Sequence, residues 1–126
     1  MKRFLSATLL SLSLFSLPAL AAESVSVETL AAQISSGKAP LIIDVRTEDD
    51  FLAGRIPGAR LIPHTEMGNY VDSLAAQKDE PILLYCRTGN RAGQAAAVLE
   101  KAGFTKVQIL EGSFPGWEAA GHKVQK

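Results

Sequence analysis

The sequence predicts a single α/β domain built on a mainly parallel sheet, and three observations support that prediction. Short apolar runs opened by a proline or closed by a polar turn alternate with stretches of helical spacing. Two of those runs, Leu41 to Val45 and Ile82 to Tyr85, have the continuous apolar character of strands covered on both faces. The chain has 126 residues, 47% of them hydrophobic and 21% charged, which suits one globular core.

The elements follow in order. Val25 to Val27 reads as a short strand, and Glu28 to Ser36 as a helix ended by Gly37. Pro40 precedes the strand Leu41 to Val45. Glu48 to Ala53 forms a short helix closed by Gly54, and the Pro57-Gly58 turn leads to a short strand, Ala59 to Ile62. A helix is expected over Glu66 to Gln77, followed by the charged turn Lys78-Asp79-Glu80. Pro81 opens the strand Ile82 to Tyr85. Arg91 to Lys101 carries Ala, Val and Leu at helical spacing, with Gly103 as its stop signal. Lys106 to Leu110 is the last strand and Phe114 to Ala120 the closing helix. Strands separated by helices argue for a parallel sheet with helices on its faces.

Residues 1–21 are read as a cleaved signal peptide, leaving 22–126 as the domain. Lys2 and Arg3 give a positive start, Phe4 to Leu17 an apolar region, and Ala19-Leu20-Ala21 a small-residue cleavage site. Cleavage is expected after Ala21, or after Ala22 as second choice. A membrane anchor fits less well: the uncharged run from Phe4 to Ala22 is 19 residues, diluted by five Ser and Thr and broken by Pro18. The expected location is the bacterial periplasm, with no membrane contact after cleavage.

Loss of Lys2 and Arg3 leaves 11 Lys and Arg against 13 Asp and Glu, so the mature chain offers no basic field for nucleic acid. Cys86 is the only cysteine, which excludes an internal disulfide and a CxxC redox pair. His64 and His122 are far apart with no clustered ligands, so no metal or other cofactor is expected.

Ligands of parallel α/β sheets sit beyond the carboxyl ends of the strands. Three strands end there in polar groups: Asp44 with Arg46, Cys86 to Arg91, and Glu111-Gly112. The second, "CRTGNR", places the thiol between Arg87 and Arg91 and ahead of a helix. A thiol is a nucleophile only when ionised. The two guanidinium groups, the helix N-terminus near Asn90 and backbone N–H groups turned inward at Gly89 all favour a thiolate. The same donors cradle an anion. A thiolate approaching a dianion to about 4 Å meets roughly 2 kcal/mol of repulsion in water, which two fixed arginines reverse. Chemistry alone therefore indicates a small oxyanion attacked by Cys86, in the loop that continues through Arg87, Thr88, Gly89, Asn90 and Arg91. No histidine or carboxylate is fixed beside Cys86 by sequence, and His64 reads as a surface residue, which argues against a Cys-His hydrolase. Asp44 and Arg46, two apart on a strand end, face the same side and are expected to form a structural ion pair supporting the loop. Phe114 and Trp117 are expected to pack the closing helix, and Glu111 and Gly112 to form a pocket rim.

"CRTGNR" between strand and helix resembles the active-site loop of rhodaneses, the thiosulfate:cyanide sulfurtransferases. "LIIDVRTEDDFLAGRIPGARLIP" resembles their first signature and "VQILEGSFPGW" their last-strand segment, so the resemblance spans about Val25 to Gly121. It implies a rhodanese-like three-layer α/β/α fold and, with the signal segment, a single-domain periplasmic thiosulfate sulfurtransferase of the phage-shock type. It also implies a mechanism. Cys86 takes the outer sulfur of thiosulfate as a persulfide and yields it to cyanide or a thiol, while amides from Arg87 to Arg91 stabilise the persulfide. Arg87 and Arg91 would bind the sulfonate oxygens, or Arg91 would instead brace the loop. Four residues separate Cys86 from Arg91, whereas phosphatases and arsenate reductases with similar loops resemble C-x5-R; the shorter loop favours sulfur. Arg55, Leu61, Ala92 and Ser113 depart from the family pattern, Ser113 standing where a glycine is usual. The alternatives are a persulfide carrier serving a protein partner, a phosphatase-like cysteine enzyme, and a binding module with an idle thiol.

Overall fold

The computed structural model describes residues 22–126; the expected signal segment, residues 1–21, lies outside them. Five strands form one sheet: β1 (Glu23–Val25), β2 (Leu41–Asp44), β3 (Arg60–Leu61), β4 (Ile82–Tyr85) and β5 (Val107–Leu110). Their spatial order is β1-β5-β4-β2-β3, and every neighbouring pair is parallel. β4 is thus the middle strand, paired with β2 from Leu41↔Ile82 to Asp44↔Tyr85 and with β5 from Ile82↔Val107 to Leu84↔Ile109. This core pairing gives the sheet its expected parallel character, and no antiparallel strand joins it among the described residues.

Helices cover both faces. α1 (Val27–Ser35) and α5 (Ser113–Ala119) lie on one face, and α3 (Met67–Tyr70) and α4 (Asn90–Lys101) on the other, while α2 (Glu48–Ala53) buries none of its residues. The period-2 alternation of β4 sorts the two cores. Ile82 and Leu84 join the cluster with Met67, Leu74, Ala92, Ala95, Ala96 and Leu99; Leu83 and Tyr85 join the one with Leu30, Ile56, Phe114 and Trp117. Ala92, Ala95, Ala96 and Leu99 follow helical i, i+3, i+4, i+7 spacing, and the three alanines bring α4 close to the sheet. Both faces of β4 are therefore dry, and all four of its residues are buried.

The expected three-layer α/β/α architecture is present, with local differences that have physical causes. The strand expected over Val25 to Val27 is displaced to Glu23–Val25, because Ser26 caps α1: its side chain accepts from Thr29 N, and Val27 begins the helix. The continuous helix expected over Glu66 to Gln77 is replaced by a 3-10 turn at His64–Glu66, the short α3 and a second 3-10 turn at Ala75–Gln77. Gly68, Asn69, Asp72 and Ser73 are poor helix formers, and only Met67 and Leu74 of the segment are fully buried, too little to hold one long helix. No helix among the described residues is long and apolar enough to cross a membrane.

The topology also fixes where a ligand belongs. From β2 the chain moves outward to the edge strand β3, and from β4 it moves the other way to β5. The connections diverge between β2 and β4, so their carboxyl ends flank the crevice of an open α/β sheet. β2 delivers Asp44, Arg46 and Thr47 to that crevice, and β4 delivers Cys86 to Arg91.

Candidate active site

Cys86 follows the last residue of β4 and is fully buried. Its Sγ accepts a hydrogen bond from the Gly89 backbone N–H at 2.8 Å. Gly89 has φ +88°, which turns that amide back toward the sulfur, and it is the N-cap residue of α4. A Cβ at Gly89 would meet no atom within 4 Å, so the left-handed backbone, not space, selects glycine there. The Cys86 carbonyl accepts from Phe114 N at 2.9 Å, which ties the loop to the start of α5.

Cys86 itself lines neither of the two cavities beside its loop, and the other residues of the loop divide by role. Arg87, Thr88, Thr47, Asp50 and Arg91 line a cavity of about 250 Å³. Gly89 forms the loop floor against the sulfur, while Asn90 opens α4 and is exposed. The structure therefore brings together Arg87, Thr88 and Arg91 of the residues expected to bind an anion. Arg87 is engaged with a partner the sequence did not suggest, its Nη2 donating to Asp50 Oδ1 at 2.7 Å. A larger neighbouring cavity of about 550 Å³ shares Asp50 and Arg87 and extends past Arg46 and Phe114 to Lys126.

Asp44 and Arg46 form the expected ion pair, and it is buried: Asp44 is 0% and Arg46 4% exposed. Arg46 Nε donates to both carboxylate oxygens at 3.0 and 3.1 Å, and Nη2 donates to Oδ2 at 2.7 Å and to the Gly54 carbonyl at 2.6 Å. The guanidinium lies over the Phe114 ring at 4.1 Å. Burial by itself would lower the Arg46 guanidinium; hydrogen bonding to Asp44 and its charge outweigh burial and raise it. Arg46 thereby links β2, the end of α2 and the start of α5 beneath the crevice. Tyr85 adds a second link, its hydroxyl accepting from Ile56 N at 3.1 Å. Burial first, and the Asp44 charge second, push its phenol far above the ordinary range, so it stays a neutral hydroxyl.

Sequence reasoning missed two residues at this site. Asp50 carries no sequence signal beyond its place in the short helix Glu48–Ala53. Ser113 was noted as a departure from pattern without a role; it is 2% exposed, and its Oγ lies 3.9 Å from Cys86 Sγ. It is also the one non-glycine residue with positive φ, +51°, among the described residues. The available signal was its place directly after Gly112 at the end of β5, where a backbone reversal at a strand end meets the site. His64 sits in the 3-10 turn after β3, its backbone N–H donating to the Val45 carbonyl at 3.0 Å.

Comparison with known proteins agrees with this fold. The model of the rhodanese-like domain matches residues 26–120. The chain is 31% identical over 87 residues to the thiosulfate sulfurtransferase GlpE of Pseudoalteromonas translucida, covering 68% of this chain and 81% of that protein. It is 38% identical over 76 residues to the uncharacterized protein YqhL of Bacillus subtilis, covering 60% of this chain and 59% of the relative's length. Among solved structures, the human single-domain sulfurtransferase TSTD1 superposes with a TM-score of 0.68 at 25% identity, covering 78% of this chain and 96% of that one. A Rhodopseudomonas palustris protein of unknown function, described as a possible tyrosine phosphatase, superposes with a TM-score of 0.75 at 25% identity, covering 82% and 85%. The match over residues 26–120, on a parallel sheet whose middle strand ends in the Cys86 loop, makes this chain a member of the rhodanese-like domain family.

Proposed function

We propose that the protein is a thiosulfate sulfurtransferase acting through a persulfide on Cys86. The observation that carries this reading is the Gly89 N–H held 2.8 Å from Cys86 Sγ in a loop whose arginines line an adjoining cavity. That amide is aimed at Cys86 Sγ, where negative charge resides on the free thiolate and returns as the outer sulfur of a persulfide is transferred. In the first half-reaction the Cys86 thiolate attacks the outer sulfur of thiosulfate. A new S–S bond forms, the S–S bond of thiosulfate breaks, and sulfite leaves with the electron pair. In the second, cyanide or a thiolate attacks the terminal persulfide sulfur and Cys86 is regenerated as thiolate. Arg87 and Arg91 hold the sulfonate oxygens during loading, with Thr88 as a further donor, and Asp44 and Arg46 brace the loop from below.

The relative named as a thiosulfate sulfurtransferase supports the donor, and the residue pattern 1–21 supports export to a periplasm as the mature chain 22–126. The physiological acceptor is proposed to be a thiol, small or protein-borne; with a protein partner as acceptor the protein works as a persulfide sulfur carrier. The likeness to a possible tyrosine phosphatase favours a second reading, phosphoryl transfer by the same thiolate. The four-residue separation of Cys86 and Arg91 supports sulfur over phosphate, since phosphatase loops of this type enclose five.

Initial-rate kinetics with thiosulfate and cyanide test the reading. A sulfurtransferase gives parallel double-reciprocal lines, Arg87→Ala raises KM for thiosulfate about tenfold, and an aryl phosphate is not hydrolysed. Phosphate release with no thiocyanate formed would replace sulfur transfer by the phosphatase reading.

A further inference from the structure

Arg87 already has an anion. Asp50 Oδ1 accepts from its Nη2 at 2.7 Å, and this is the only hydrogen bond of the Arg87 side chain among the described residues. The other carboxylate oxygen is held independently: Thr47 Oγ1 donates to Asp50 Oδ2 at 3.0 Å. Thr47 is the N-cap of α2, and the same Oγ1 accepts from Asp50 N at 3.3 Å. The carboxylate is therefore anchored to a capped helix, whereas Arg87 is 67% exposed and free to turn about its long side chain. Asp50 and Arg87 each line both cavities.

Charge determines what this arrangement does. The smaller cavity is lined by two guanidinium groups and one carboxylate, a net of one positive charge. A dianionic donor needs two. While Arg87 stays on Asp50, an anion in the cavity gains one full cation and meets a nearby like charge; once Arg87 leaves Asp50, the match is complete but the carboxylate is abandoned. We propose that Asp50 is a positioning residue that competes with the donor anion for Arg87, parking the guanidinium at the cavity rim in the free protein and reclaiming it as the product anion departs. It thereby sets the affinity of the site for small dianions of the sulfate and thiosulfate type and speeds their release. This inference rests on the reading of Arg87 as a ligand of thiosulfate.

The test compares wild type, Asp50→Asn, Arg87→Ala and the double variant, with inorganic sulfate as an unreactive dianionic probe. Asparagine keeps an oxygen acceptor for Thr47 while removing the charge and the acceptor that faces Arg87; Asp50→Ala serves as a second variant, and thermal melts check that each folds. With Asp50 neutral, the KM for thiosulfate and the inhibition constant for sulfate fall together by about three- to fivefold, the scale of an exposed ion pair. kcat does not rise, and the gain shrinks when Arg87 is also alanine. A KM and a sulfate constant that stay the same or rise in Asp50→Asn overturn the competition, and show instead that Asp50 holds Arg87 in its productive place. If Arg87→Ala in the wild-type background alters neither constant, the anion site itself is misassigned, and the thiosulfate reading of Arg87 falls with the inference.

Discussion

Replacing Arg46 by alanine probes the buried brace beneath the loop. The substitution removes four charge-assisted hydrogen bonds, three to Asp44 and one to the Gly54 carbonyl, and the stack on Phe114. It leaves Asp44 with no exposed surface and one remaining donor in this network, the residue 46 backbone N–H at 2.9 Å. Removing one member of a buried pair costs about 3–5 kcal/mol because the other charge is stranded, and the lost ring contact falls within that range. Against a total stability of about 5–15 kcal/mol for a domain of this size, the loss is severe. Urea denaturation followed by the fluorescence of Trp117, the one tryptophan and a buried residue of α5, reads it directly. The double variant Asp44→Asn/Arg46→Met leaves no charge buried and recovers part of the loss. A decrease below about 1 kcal/mol in Arg46→Ala would refute the reasoning that this pair is desolvated and mutually dependent.

Other outcomes follow from single geometric facts. Gly89→Ala forces a Cβ into left-handed backbone and is expected to lower stability by about 1–2 kcal/mol, with sulfur loading slowed as the Gly89 amide moves off Cys86; urea midpoints and single-turnover sulfite release measure both. Ser113→Gly relieves the same kind of strain at φ +51° and raises stability by about 1 kcal/mol, read from the urea midpoint, whereas Ser113→Ala keeps the strain and gains nothing. Tyr85→Phe strands the buried Ile56 N–H and lowers stability by about 1–3 kcal/mol at neutral pH. Its deficit narrows in alkali. The folded phenol is raised, so its contribution is fully present below the ordinary phenol value of about 10 and is lost as pH rises beyond it, where the unfolded chain ionises and the wild type alone loses stability. Melts of both proteins from pH 7 to 11 check that convergence.

What the sequence made legible was what is local in it. Ile82–Tyr85 lies between Pro81 and a cysteine, and Glu48–Ala53 between a threonine cap and Gly54, so both elements have the expected bounds. The Cys86 loop is six consecutive residues and its backbone geometry follows from one glycine. Val27 was misassigned because Val25 and Val27 mimic a strand's period of two, while the Ser26 cap that decides the matter acts through Thr29, three residues on. The segment 66–77 kept a helical apolar pattern over residues too flexible to sustain it. The partners of the loop lay out of reach for a different reason: Asp50 is 37 residues from Arg87, and Ser113 is 27 from Cys86. Parallel strand order alone brings them together, and no pattern in the chain encodes that order. The Asp44–Arg46 pair, two residues apart on one strand end, shows the converse case of a contact readable in advance.

The central claim is that Cys86 carries transferred sulfur, and intact-protein mass spectrometry before and after thiosulfate tests it most directly. The expected result is a gain of one sulfur atom, mapped to Cys86, released as thiocyanate by cyanide and absent from Cys86→Ser. An unchanged mass in the wild type, with turnover surviving in Cys86→Ser, would contradict it.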